Sequence, residues 1–338
     1  MCAHLLKRRL LIGVLLCALS SCSLIDDDLS VCGVDCKIDY ELRLVADLNM
    51  SIHAQLRSQK DSAVAKVLEN WITPIFAAEQ NEAELFFFST DEADELREHS
   101  IEQVTERHQS FTFYLPRDNY LHLASVNVAD NGAVTMTGGT HSASMCIETK
   151  DLDILPSQKT ALYTARYPLE LDDSESQSFE VNLYAASSAV ALVLDSSAFD
   201  MRKIEVLLEG TASCLTMKDS TFLFGRETHI RLDELTGQCF GAISLPSRDE
   251  MPAAIQARHK GKQADVEGLW QLKAHVTLPD GKVTETILSI DEALLAGTIR
   301  IIQCEVQDDG SLLPVTTTHV GATVTLDWKE GDEQTIDI

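Results

Sequence analysis

Side chains able to do covalent, acid–base or metal chemistry are plentiful in this 338-residue sequence, but few stand at spacings such chemistry uses. There is no GxSxG elbow, no HExxH pair and no CxxCH. Ten histidines are scattered along the chain. Asp and Glu total 53, an abundance that coats a surface without pairing a general acid with a base. The stretch TGGTHSAS at 137–144 is rich in glycine but lacks the GxxxxGK[ST] order of a phosphate loop. Asp308-Asp309-Gly310 lacks the alternating oxygen ligands of a calcium loop and reads as a turn. No catalytic, cofactor-binding or metal-ligating residue is assigned, and the chain does not read as an enzyme. Thiol chemistry is what remains.

Cys22 is the thiol whose position implies a reaction. Ahead of it come a basic trio, Lys7-Arg8-Arg9, and an apolar run over 10–19. Ten residues are too few to span a bilayer, which takes about 20, but they suit a cleaved signal peptide over 1–21 with small residues before the cut. The order Leu19-Ser20-Ser21-Cys22 resembles a bacterial lipobox. In chains with that pattern the cysteine is acylated through a thioether, which a serine could not form. Each buried CH₂ adds about 0.8 kcal/mol, and stable anchoring needs more than one acyl chain. Asp26, Asp27 and Asp28 follow at once. Such an acidic run is similar to the signal that sends lipoproteins to the outer face of the outer membrane in Bacteroidales-type bacteria. A solvated acidic tether over 22–35 is the plainer alternative.

Without residues 1–21 the chain carries 24 basic and 53 acidic side chains, a net charge of −29. That excludes nucleic-acid binding through phosphate neutralisation and favours solubility. The mature length suggests two domains, and no later segment is apolar enough to cross a bilayer. Six cysteines remain besides Cys22, and they allow 15 pairings. Export permits disulfides. Cys32 and Cys36 are near enough in sequence to close a small loop. A zinc site lacks a second CxxC or a histidine pair at ligand spacing. Some of the other four cysteines are expected as buried thiols.

These groups need elements to hold them, and the chain offers mostly strands. Residues 36–46 alternate, with Ile38, Tyr40, Leu42 and Leu44 against Asp39, Glu41 and Arg43, the period of a half-buried strand. Over 61–78 the apolar residues fall three and four apart, from Val64 to Phe76, and predict a helix that Pro74 ends or kinks near Thr73. Residues 84–90 are a strand core, and the charged residues 91–109 read as a weakly helical, exposed connection. Strands are expected over 110–116 and 119–130, joined by a tight turn, with Asn131-Gly132 signalling a hairpin between Val128 and Val134. Residues 161–171 close the unit. The acidic stretch 172–178 reads as a boundary between domains at 36–171 and 178–338. Beyond it come short runs rich in Val, Ile and Leu, with Pro279-Asp280-Gly281-Lys282 as a hairpin turn and 291–296 as a single helical turn. Many short strands at this spacing read as an antiparallel sandwich. The end alternates again, with Val324, Leu326 and Trp328 on one face.

The order of lipobox, acidic run, CGVDCKIDYELRL, ELFFFS and SFTFYLPRDNYLHLASVNV resembles the FimB-like fimbrial anchor lipoproteins of Bacteroidales. It differs in having Arg117-Asp118-Asn119 where that family often has Gly in the turn, and LASVNV where a Trp-containing strand is usual. The resemblance implies a mainly β protein of two tandem transthyretin-like sandwiches, with a helical insertion in the first. It implies an outer-membrane lipoprotein whose partners are fimbrial stalk subunits, joined by β-strand addition, and which ties a fimbria to the cell and limits its length. The terminal strand is the candidate contact, where burial of Val324, Leu326 and Trp328 would each contribute about 1.5–3 kcal/mol. Equally, that strand could complete its own sandwich. A surface glycan-binding lipoprotein is the main alternative, although Trp71, Trp270 and Trp328 all stand in apolar patterns rather than as sugar platforms. A stalk or accessory subunit is a third, marked by cleavage near Arg43 or Arg57.

Overall fold

The computed structural model describes residues 35–45, 62–77, 81–90, 95–129, 131–138, 142–171, 176–195, 203–250, 268–315 and 320–326. Cys22, the three aspartates, Cys32, Arg57 and Trp328 lie outside these residues.

The first half contains β1 (Cys36–Val45), α1 (Ser62–Ile75), β2 (Asn81–Ser89), β3 (Glu95–Val104), β4 (His108–Leu115), β5 (Asn119–Val126), β6 (Val134–Thr137), β7 (Cys146–Thr149), β8 (Tyr163–Glu170) and β9 (Ser176–Ala185). In β1, Ile38, Tyr40, Leu42 and Leu44 are buried while the intervening charged residues reach solvent, as the alternation requires. It runs antiparallel to β4 and parallel to β9 within a sheet of order β3-β2-β5-β8-β9-β1-β4. Strands β8 and β9 share only the pairs Tyr163↔Ala185 and Thr164↔Tyr184, so the sheet folds over at that seam. Its two flanks then meet face to face. Phe87 of β2 and Phe113 of β4 come within 5.8 Å between ring centroids although they stand near opposite ends of the strand order.

The second half supplies β10 (Ser188–Asp195), β11 (Lys203–Glu209), β12 (Cys214–Thr216), β13 (Thr221–Leu223), β14 (His229–Arg231), β15 (Asp233–Thr236), β16 (Cys239–Ser244), β17 (Trp270–Thr277), β18 (Val283–Ile290), β19 (Ile299–Val306), β20 (Leu312–Pro314) and β21 (Val320–Thr325). Sheets of order β15-β16-β10-β19-β20 and β14-β11-β17-β18-β21 enclose a core of Val190, Leu192, Phe240, Trp270 and Leu272. The protein is therefore mainly β.

Three layers join the halves. Helix α1 buries Ala65, Leu68 and Ile72 in the first core, together with Phe76 just past its end. Its Trp71 ring lies so close over Gly241 of β16 that a Cβ there would be 2.6 Å from a ring carbon. Strand β10 is buried on both faces: Ala189, Ala191 and Val193 face the first core, and Val190, Leu192 and Leu194 face the second. A four-stranded sheet, β13-β12-β7-β6, takes two strands from each half. It covers Phe86, Phe88, Leu121 and Leu123 on the outer face of β2 and β5. The apolar run of residues 85–88 is explained by this double burial, Leu85 and Phe87 facing one core and Phe86 and Phe88 the other.

Several sequence expectations give way. Residues 95–104 form strand β3, not a weak helix, because β2 offers main-chain partners and charged side chains suit an exposed edge. Asn131-Gly132 makes no hairpin: β5 pairs with β2 and β8, β6 with β7. Asn131 instead ties the loop, accepting from the Ala133 amide and donating to the Thr160 carbonyl. The turn at 116–119 is likewise a crossing between flanks, since β4 pairs with β1. Ser176–Ala185, which the sequence reading split at residue 178, pairs along β1 in the first sheet. Residues 291–296 form no helix. Helix α1 ends at Ile75, with Pro74 in its last turn. The turn at 279–282 does join β17 to β18, with Gly281 at a φ of 90°. No helix among the described residues is long and apolar enough to cross a membrane.

Candidate functional site

Strand β21 ends its sheet, pairing with β18 from Val320↔Ile290 to Thr325↔Glu285. Val324 is 6% exposed and faces inward; Val320 and Ala322, on the same side, pack on the second core. Leu326, just past the strand, is 47% exposed. The structure thus separates the two described members of the candidate trio: Val324 completes its own sandwich and Leu326 faces solvent. Among the described residues no strand pairs with the outer side of β21, which stands there as an edge strand. Beside it on β18, the nearly buried Glu285 faces His275 at 2.8 Å and Lys273 at 3.4 Å. Burial alone would raise its carboxyl, but these two partners outweigh that and hold it below the usual range.

At the other end of the chain, the first strand lies deep in the fold. Arg43 of β1 forms an ion pair with Glu180 at 3.0 Å, and Cys36 is buried at the start of the strand. Tyr40 carries its hydroxyl into the core, where it donates to Nε2 of His122 at 2.7 Å. His122 Nδ1 donates to the Phe86 carbonyl at 3.0 Å, and the ring stacks on Phe87 at 4.4 Å. Burial pushes the imidazole down to about 4, so it is neutral, and it pushes the Tyr40 phenol far up. This polar knot links opposite flanks of the folded sheet. No sequence pattern marked it, since a lone histidine in an apolar strand gives no spacing signal. The Leu115-Pro116…Tyr120 motif has a similar role: Tyr120 donates to the Pro116 carbonyl at 2.7 Å, fixing the corner between β4 and β5.

The seam where β8 and β9 part opens a groove of about 590 Å³, roofed by the β12–β13 turn. Arg166, Asn182, Lys218 and Asp219 line it, beside Tyr184, which is 60% exposed. Trp270 is buried, its Nε1 donating to the Glu292 carbonyl at 2.8 Å, and Trp71 is packed over Gly241. Neither is a free stacking platform.

No family model matches the sequence, and no curated protein matches it either. Solved structures do. A candidate polysaccharide-binding protein from Bacteroides thetaiotaomicron superposes with a TM-score of 0.53 at 10% identity, covering 87% of this chain and 96% of that one. A candidate adhesin from the same organism gives 0.50 at 9% identity, over 87% and 96%. The chain shares its fold with these Bacteroides proteins. A weaker likeness, with a TM-score of 0.44 and 13% identity over 87% of this chain and 98% of the other, is to the fimbrial anchor protein Mfa2 from Porphyromonas gingivalis. At such identities the likeness is one of fold. It fits the mainly β architecture and leaves the task of the chain to its own residues.

Proposed function

We propose that this chain is a lipid-anchored base subunit that ties a fimbria to the outer surface of the outer membrane. Its two sandwiches are of the transthyretin-like kind that the family resemblance implies. Residues 1–21 are the cleaved leader and 22–35 the tether, and the role is mechanical rather than catalytic. The observation that carries the reading is the placement of Cys22 only 14 positions ahead of the start of β1. Fully extended, that tether reaches at most about 50 Å. A pull on the lipid is therefore delivered directly to a strand bonded on both sides, by β4 and β9.

The same strand argues for an anchor over a stalk subunit. Cleavage after Arg43 would remove Ile38, Tyr40 and Leu42, each fully buried, and open the first core. Partner subunits would add at the free edge of β21, with Leu326 and Trp328 as side-chain contacts. The fold neighbours named as adhesin and polysaccharide-binding proteins are compatible with a surface location.

The test is Cys22→Ser. The wild-type chain should sediment with the outer membrane and co-purify with fimbrial subunits. The variant should appear in the medium with those subunits still attached. A variant that stays membrane-bound, or a wild-type chain that brings down glycan-uptake components and no fimbrial subunit, would sink the proposal.

A further inference from the structure

Two thiols from opposite halves of the chain meet on the four-stranded sheet. Strands β7 and β12 run antiparallel with Cys146 opposite Thr216 and Glu148 opposite Cys214, so the cysteines are diagonal neighbours. Ile147 and Leu215 between them point into the apolar layer, which places both cysteines on the outer face. The two sulfurs and a Glu148 carboxylate oxygen all lie within 4.8 Å of one another. Diagonal positions stand about 7–8 Å apart yet remain within side-chain reach, and closing a bond of about 2.05 Å draws the two strands together as well as turning the side chains.

We propose that Cys146 and Cys214 form a disulfide that staples β7 of the first half to β12 of the second. Delivery to an oxidising compartment rests on the exported reading given above. The chemistry is disulfide exchange with a protein or small-molecule disulfide as oxidant. Cys146, the more accessible thiol, attacks as its thiolate, joins one oxidant sulfur and expels the other. Cys214 then gives up its proton and displaces the remaining oxidant sulfur. The oxidant leaves as two thiols, and the chain gains one S–S bond across 67 intervening residues.

A metal ion is the competing occupant of the cluster. The site offers it two thiols and one exposed carboxylate, fewer than the four ligands of a closed structural zinc site. Burial, followed by the hydrogen bond with Cys146, pushes the Cys214 thiol up to about 12, a cost that metal ligation and disulfide exchange share, so the short ligand set is what disfavours the metal. Cys239 and Cys304 offer no rival pairing with each other, because one faces the first core and the other the second.

The purified full chain, equilibrated in a mixture of oxidised and reduced glutathione, is denatured, alkylated without reduction and mapped by mass spectrometry. The expected product is one cross-linked peptide pair holding Cys146 and Cys214, absent from Cys214→Ser. Reduction should lower Tm by about 3–7 °C in the wild type, and this shift should vanish in Cys146→Ser. Alkylation of both thiols would overturn the staple, as would linkage of either to another partner or stoichiometric zinc with both thiols reduced. The buffer supplies the oxidant, so the result is independent of where the cell delivers the chain. Fractionation tests that delivery separately.

Discussion

A single buried imidazole couples the stability of the first sandwich to pH. His122 titrates at about 4 in the fold against about 6.5 for an exposed histidine, because burial penalises its cation. As pH falls below 6.5 the unfolded chain takes up a proton that the native chain refuses. Stability should therefore drop between pH 6.5 and 4, by about 3 kcal/mol in total from this group. Urea unfolding at pH 7.5 and 4.5 measures the loss. His122→Gln keeps an acceptor for Tyr40 and a donor for Phe86, and it should remove most of this histidine's share of the drop. An equal loss in the variant would assign the effect to carboxylates instead. The sequence displayed Tyr40 as one more member of an alternating strand, which it is, but not its partner. Pairing with a residue 82 positions away depends on how the sheet folds over, and local pattern carries no trace of that.

At the scale of elements, side-chain period was legible wherever one face met a core and the other met water. Strand β1 and helix α1 follow their periods to within a few residues. Legibility failed where pairing rather than burial decides. The charged strand β3 owes its form to main-chain bonds with β2, and Asn131-Gly132 lies between strands that never pair. Composition alone could not tell either from a surface connection. The candidate contact strand divides in the same way. Val324→Asp places a charge at a buried position on the inner side of β21 and should destabilise by about 3 kcal/mol or more. Leu326→Asp alters an exposed side chain and should change stability by less than about 0.5 kcal/mol. If β21 receives a subunit, Leu326→Asp should nevertheless weaken capture of fimbrial subunits. Thermal melts paired with co-purification separate the two effects, and unchanged capture would move the contact elsewhere.

Over the whole molecule, the halves are laced together rather than strung in series. Leu155 of the first half accepts from the Arg231 amide at 3.0 Å and donates to the His229 carbonyl at 2.7 Å. Arg226 of the second half reaches back to the Thr149 and Lys150 carbonyls at 2.6 and 2.9 Å and pairs with Asp151. Shared layers of this kind predict a single cooperative transition for the full chain in calorimetry. Arg226→Ala should lower the midpoint without splitting the peak. Two resolved transitions would mean that the halves unfold separately. The lacing also sets a clock on biosynthesis. The aromatic face of Phe86 and Phe88 is made early, yet its cover needs Leu215 and Met217. At about 5–20 residues per second, the 129 positions from Phe88 to Met217 take roughly 6–26 s to emerge. For that interval a sticky surface has no lid. A holding chaperone has a defined window in which to attend it.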